Sequence, residues 1–340
     1  MISLRAPLIF ILFFAFLVVP FLVYAQVALP TDSSTDTLTI TTNPEYPRPF
    51  SVAEIRIQSF SVDLNQLTIS WFLNGTLQKE GVGERTFLFQ TGGIGEKATV
   101  RIVARSSIGV IADEVVEITP ASVDLIWQGR TYTPPFYRGR SVVSAEALVD
   151  IVAFPQIILN NRFLQDDEVT YTWKKDGEVL GEYSGYGKNT LLIQAPFQGS
   201  ATTIEVLATA GGGAVNAEGV AVIEPIEPFI RVYENDPLLG VQFHKAITGT
   251  LIPTSNDVTV TAYPFFFSVE NRNSSALSYE WLANDTPIDS LGNDRGSINI
   301  AVDDGQVGVA DLSLSIQNAV RIFQAAAAAF SITFGSETNL

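Results

Sequence analysis

The sequence contains no cysteine, a single histidine and only 20 lysines and arginines against 36 aspartates and glutamates. Each shortage removes a class of chemistry. Without cysteine there is no thiol nucleophile, no thiolate-bound zinc and no disulfide framework. The histidine, His244, cannot form a two-histidine metal site. As a general base it would need a nucleophile and an orienting partner, which its neighbours Phe243 and Lys245 do not supply. A formal charge of −16 repels phosphate backbones, and no basic run is concentrated enough to overcome that field, which argues against a nucleic-acid partner. Charged residues are sparse at 16%, but apolar residues reach 46% and aromatics 11%, so the chain can build packed cores and wholesale disorder is ruled out.

Charge is missing altogether from residues 7–24, an apolar run that follows Arg5. Val23 and Ala25 stand at the −3 and −1 positions of a cleavage site before Gln26. We therefore expect residues 1–25 to be a signal peptide. The alternative, an uncleaved anchor, is near the lower length limit for spanning a bilayer and is interrupted by Pro20. An exported chain without cysteine must rely on core packing alone, which is common in bacterial envelope proteins. The expected location is periplasmic, cell-surface or extracellular. Residues 27–43 begin polar and then alternate, as a tether entering a first strand.

What the rest of the sequence contains is an internal repeat. Trp71, Trp173 and Trp281 lie 102 and 108 residues apart, each two positions after an apolar residue (Ile69, Tyr171, Tyr279). That is the period-two signature of a half-buried strand. Three residues after each tryptophan comes a turn pair, Asn74-Gly75, Asp176-Gly177 or Asn284-Asp285, suited to a tight hairpin. A strand then starts at Thr86, Thr190 and Ser297, at offsets of 15, 17 and 16 from the tryptophan. Alternating strands follow at residues 100–104, 204–208 and 312–316. Closing strands are expected at 115–118, 220–223 and 330–334, and preceding ones at 53–60, 148–154 and 258–263. The alanine tract at residues 324–330 has helical propensity, but its register places it in the last hairpin.

The tryptophan strand with its turn, TYTWKKDGEVL, and the late alternating strand, TTIEVLATA, resemble immunoglobulin-like and PKD-like domains of bacterial exported and surface proteins. The resemblance implies an all-β chain, a tandem array of three β-sandwich modules over residues 26–120, 121–225 and 226–340. It also implies a spacer, adhesion or ligand-binding role with no catalytic residue. The divisions fall at Thr119-Pro120 and Glu224-Pro225, where a proline ends the ladder. Trp71, Trp173 and Trp281 are the expected core anchors, one per module.

Two stretches, residues 122–140 and 229–246, both read as edge hairpins running from an alternating strand through a turn and proline to an aromatic strand. The first gathers Trp127, Arg130, Tyr132, Phe136, Tyr137, Arg138 and Arg140 in an otherwise acidic protein. Aromatic faces stack on sugars and arginine forks grip carboxylates, so the stretch is a candidate surface for an envelope protein or a glycan. The competing reading is that the aromatics seal a module junction with arginine stems lying over them. The acidic groups Asp166-Asp167-Glu168, Asn293-Asp294 and Asp303-Asp304 could hold calcium only with a ligand spacing that these loops lack, so they read as solvated loop charge. No cofactor or metal is expected. The functional expectation is a non-enzymatic spacer or interaction scaffold of a bacterial envelope, with carbohydrate-binding or adhesive surface protein as the alternative.

Overall fold

The computed structural model describes residues 38–303 and 307–335. The expected signal peptide, most of the tether and Asp304 lie outside the described residues. Within them the chain is all-β, with only three short 3-10 turns. The first strands are β1 (Thr39–Asn43), β2 (Val52–Gln58), β3 (Thr68–Leu73), β4 (Thr76–Val82), β5 (Thr86–Gln90), β6 (Ala98–Ser106) and β7 (Gly109–Ile118). They form two sheets, β1-β2-β5 and β4-β3-β6-β7. This partition of strands between two antiparallel sheets is the immunoglobulin-like arrangement.

The same partition recurs twice. Strands β8 (Ser122–Gly129), β9 (Leu148–Gln156), β10 (Ile158–Leu159), β11 (Arg162–Phe163), β12 (Thr170–Lys175), β13 (Glu178–Val179), β14 (Gly185–Tyr186), β15 (Thr190–Gln194), β16 (Thr202–Ala210) and β17 (Val215–Ile223) follow. They give sheets β15-β9-β8 and β13-β12-β16-β17, with β10 and β11 as a small separate hairpin. The last set is β18 (Phe229–Asp236), β19 (Gly240–Ile247), β20 (Thr250–Leu251), β21 (Asp257–Phe265), β22 (Leu277–Ala283), β23 (Thr286–Ile288), β24 (Ser297–Ala301), β25 (Gly308–Asn318) and β26 (Ala325–Phe334). Its sheets are β19-β18-β21-β24 and β20-β26-β25-β22-β23. Strand β20 runs parallel to β26, pairing Thr250 with Ser331 and Leu251 with Ile332. The alanine tract is strand β26, paired with β25 from Ala325 to Phe334.

Each sheet pair closes on its own apolar core, and each core holds one of the three tryptophans. Trp71 and Trp173 are fully buried and Trp281 is 3% exposed. Burying an indole leaves one donor to satisfy, and the three sandwiches solve this alike. The Nε1–H donates to the Glu84 carbonyl at 2.9 Å, the Lys188 carbonyl at 2.8 Å and the Arg295 carbonyl at 3.2 Å. The turn after each tryptophan strand also repeats. Asn74, Asp176 and Asn284 have positive φ, and their side-chain Oδ1 accepts the backbone N–H of Thr99, Thr203 and Asp311 at 2.8–2.9 Å. The turn is thereby clamped to the start of the next inner strand. No helix among the described residues is long and apolar enough to cross a membrane.

Of the two expected edge hairpins, residues 229–246 form one, with β19 at the sheet edge beyond β18. Residues 122–140 do not. Strand β8 ends at Gly129, and the aromatic stretch that follows has no strand partner in its own sandwich. The reason is Pro134-Pro135, which cannot donate to a ladder, together with better partners in the next sandwich.

Candidate interaction surface at the sandwich junctions

The β8–β9 connection, residues 130–147, leaves the middle sandwich and docks on the C-terminal one. Its backbone makes a short exchange there. Tyr132 N–H donates to the Phe267 carbonyl at 2.7 Å, and Phe266 N–H donates to the Tyr132 carbonyl at 2.8 Å. The Tyr137 N–H then closes a turn onto the Pro134 carbonyl at 2.9 Å, which turns two rings into the interface. Phe136 stacks on Phe243 of β19 with centroids 4.0 Å apart and meets Tyr233, Tyr263 and Phe265 edge-on at 5.4–6.1 Å. Tyr137 packs edge-on to Phe265 and Phe266. Tyr233, Tyr263, Phe265 and Phe266 form a fourth apolar cluster, distinct from the three cores.

The remaining candidates stay on the middle sandwich. Trp127 is half-buried against its core, and the Arg140 guanidinium lies 4.1 Å above its ring. Arg130 makes a two-pronged ion pair with Asp150, both bonds 2.8 Å, which lowers the carboxyl of Asp150 below the usual carboxylate range. Of the seven residues, Tyr132, Phe136 and Tyr137 meet at the junction, Trp127 and Arg140 pair with each other, Arg130 is neutralised by Asp150, and Arg138 is exposed. A groove of about 570 Å3 runs beside them, lined by Arg130, Tyr132 and Pro135 on one side and Ser268, Val269 and Glu270 on the other. Burial pushes the Tyr132 and Tyr263 phenols upward from the ordinary tyrosine value.

A residue that no sequence motif singles out sits behind this groove. Gln324 is fully buried. Its Nε2 donates to the Ala145 carbonyl and Ser268 Oγ, both at 2.7 Å, and reaches Ser144 Oγ at 3.0 Å. Its Oε1 accepts from the Ser268 N–H at 2.8 Å and from Asn318 Nδ2 at 3.0 Å. The amide thus joins the middle and C-terminal sandwiches with every polar atom satisfied. Glu146 adds a bond from the Phe323 N–H at 3.1 Å, and Ser144 forms a parallel bridge with Ile226. The only sequence signal was a lone amide ahead of five alanines.

The other junction is thin. Arg48 pairs with Asp124 at 2.9 Å, both more than half exposed, and the Gly95 N–H donates to the Pro120 carbonyl at 2.9 Å. At Gly95, φ is +76° and a Cβ would lie 2.7 Å from Ile158 of the β10–β11 hairpin, so glycine permits a close backbone approach there.

Two of the acidic loops are engaged within the protein, while Asp303 is exposed. Glu168 accepts two bonds from Arg162 and one from the Gln165 N–H, and the Arg162 contact holds its carboxyl down at about 2. Asp294 bonds Arg272 at 2.6 Å and Ser297 at 2.8 Å. His244 is exposed on β19.

No protein-family model and no curated protein sequence matches the chain. Among solved structures, it is similar to the fibronectin(III)-like modules of Clostridium thermocellum CbhA, at 14% identity over 55% of this chain and 95% of that one, with a TM-score of 0.26. The central fibronectin-III array of RIM-binding protein matches at 10% identity over 88% and 96%, with a TM-score of 0.30. The Bacteroides ovatus mixed-linkage glucan utilization protein SGBP-B, solved with a mixed-linkage heptasaccharide, matches at 12% identity over 88% and 70%, with a TM-score of 0.21. The assignment of this chain to tandem immunoglobulin-like sandwiches stands on its own strand pairing.

Proposed function

We propose that this is a non-enzymatic, exported spacer or interaction scaffold of a bacterial envelope, built from immunoglobulin-like modules at residues 26–120, 121–225 and 226–340 and released from its signal peptide after Ala25. The observation that carries the reading is the docking of the 130–147 connection on the C-terminal sandwich. It makes one stiff two-sandwich body out of elements that could have been beads on a string. Links of three residues (119–121) and five residues (224–228) between consecutive sandwiches leave little slack. A fixed separation across the middle and C-terminal sandwiches is what a spacer supplies. The partner is an envelope protein or glycan that meets loops and edge strands by surface contact or strand addition.

The junction aromatics favour packing over direct ligand contact, because Phe136 and Tyr137 are already occupied by rings of the next sandwich. Small-angle X-ray scattering on the exported chain tests the spacer reading. An elongated particle with a rigid C-terminal two-thirds supports it, whereas a compact or broadly distributed ensemble overturns it. Intact mass beginning at Gln26 and recovery in envelope fractions test export. A hydrolytic activity abolished by changing one carboxylate would refute the non-enzymatic reading.

A further inference from the structure

We propose that the depression beside Phe50 is a glycan-binding subsite on the N-terminal sandwich, with the Phe50 ring as the stacking platform for one sugar ring. The spacer reading neither requires nor implies this site. Phe50 is 71% exposed and has φ of +54°, a left-handed conformation that bulky residues avoid. The surrounding bonds impose that conformation. Phe50 N–H donates to the Gly92 carbonyl at 3.0 Å, Ser51 N–H to Thr91 Oγ1 at 2.9 Å, and Thr91 Oγ1 to the Arg48 carbonyl at 2.7 Å. Strain held in place by its surroundings around an exposed aromatic points to a use for the ring.

The ground beside the ring is cleared and furnished. Phe50, Asn74, Gln90, Gly92, Glu96 and Lys97 are among the residues lining a depression of about 430 Å3. A Cβ on Gly93 would come 3.3 Å from the Phe50 ring, and one on Gly92 would lie 2.4 Å from the Glu96 carboxylate, so the glycine pair makes room for both side chains. Glu96 is aimed by a 2.7 Å bond from the Gly93 N–H. Asn74 is fixed through Oδ1, which accepts from Thr99 N–H, and its Nδ2 makes no hydrogen bond among the described residues. Gln90 is exposed at the end of β5.

These groups select a ligand class. Two amides both donate and accept, one carboxylate accepts, and the Lys97 ammonium, paired with Glu117, keeps N–H donors to spare, a set that pairs with hydroxyls in either sense. Glu117 neutralises Lys97 and leaves Glu96 as the rim's unbalanced charge, within a chain of charge −16, which disfavours polyanions. An aromatic face, hydroxyl-matching groups and an open, shallow shape together fit a neutral polysaccharide crossing the surface.

The test uses the exported chain on a printed array of neutral and N-acetylated oligosaccharides, with affinity for any hit measured by calorimetry. Phe50→Gly removes the ring and suits the positive φ, so the variant keeps or raises its melting temperature. The expected result is a wild-type hit weakened at least tenfold by Phe50→Gly and several-fold by Gln90→Ala. Phe60→Ser, which removes an aromatic 93% exposed in the β2–β3 connection, should leave binding unchanged. Absence of any wild-type hit overturns the proposal, as does Phe50→Gly binding like wild type or Phe60→Ser losing binding equally. The scattering test of the spacer reading is unaffected by any of these outcomes.

Discussion

The junction between the N-terminal and middle sandwiches and the junction between the middle and C-terminal ones begin at the same place in the fold. In each, the connection between the first two strands of a sandwich faces the sandwich that follows. In the first, that connection is residues 44–51, whose Arg48 makes an exposed ion pair with Asp124 and a long bond to the Val123 carbonyl. In the second it is residues 130–147, and the added length carries Tyr132, Phe136 and Tyr137 onto the next sandwich. Coupling in this array is therefore decided by one loop and not by the interdomain linkers, which are short in both cases. The short loop leaves Phe50 outside, whereas the long one tucks Phe136 in.

Truncating a tryptophan should expose the difference most strongly. Replacing a buried tryptophan by alanine costs about 3 to 5 kcal/mol. Trp71→Ala should melt the N-terminal sandwich alone, while Trp173→Ala should lower the melting of the middle and C-terminal sandwiches together. Calorimetry reads this directly, and independent melting of the last two would break the comparison.

Gln324→Ala comes next, because it strands Ser144, Ser268 and Asn318 groups in a buried interface, at about 1 to 3 kcal/mol. The shared transition of the last two sandwiches should split, and protease should gain access to residues 130–147. Arg48→Ala at the thin junction should cost no more than about 1 kcal/mol. Its effect should appear as a wider spread of interdomain angles in scattering, mimicked in wild type by high salt.

The smallest effect concerns Glu168, near the Ile158 hairpin that approaches Gly95. Its carboxyl is depressed to about 2 by Arg162, below the roughly 4.3 of an unfolded glutamate. The ion pair therefore adds stability above about pH 4.3 and loses it as the pH falls toward 2. The stability gap between wild type and Arg162→Ala should close over that interval, as chemical denaturation at several pH values would record.

Much of the fold was legible because it is written locally. A tryptophan, a turn residue with positive φ and a strand at fixed offset recur three times, and each carries its own hydrogen bonds. The alanines of β26 were placed by register against helical propensity, since tertiary pairing overrides that preference. The 122–140 stretch was misread as a hairpin because its partners, Phe266 and Phe267, are more than 120 residues away and leave no local pattern. The candidate surface was half legible: its aromatics and arginines were identified, and so was junction packing as an alternative. Gln324 and Phe50 were missed, the first because an amide acquires meaning only when buried between sandwiches, the second because left-handed backbone at phenylalanine is imposed by distant hydrogen bonds to Thr91 and Gly92.

The parallel pairing of β20 with β26 gives the array a mechanical grain. Strand β20 follows β18 and β19 and β26 ends the sandwich, so once β18 and β19 are drawn out, tension along the chain pulls β20 and β26 past each other. Their hydrogen bonds then share the load in shear and do not open one at a time like a zipper. The Ser144–Ile226 bridge repeats this geometry in miniature in the middle sandwich. Among the described residues the N-terminal sandwich has no such parallel pair, and β1 is held only by antiparallel contact with β2. Pulled from its ends, the chain should yield first at its N-terminal third, which would act as a sacrificial extensible segment in series with a stiffer rod.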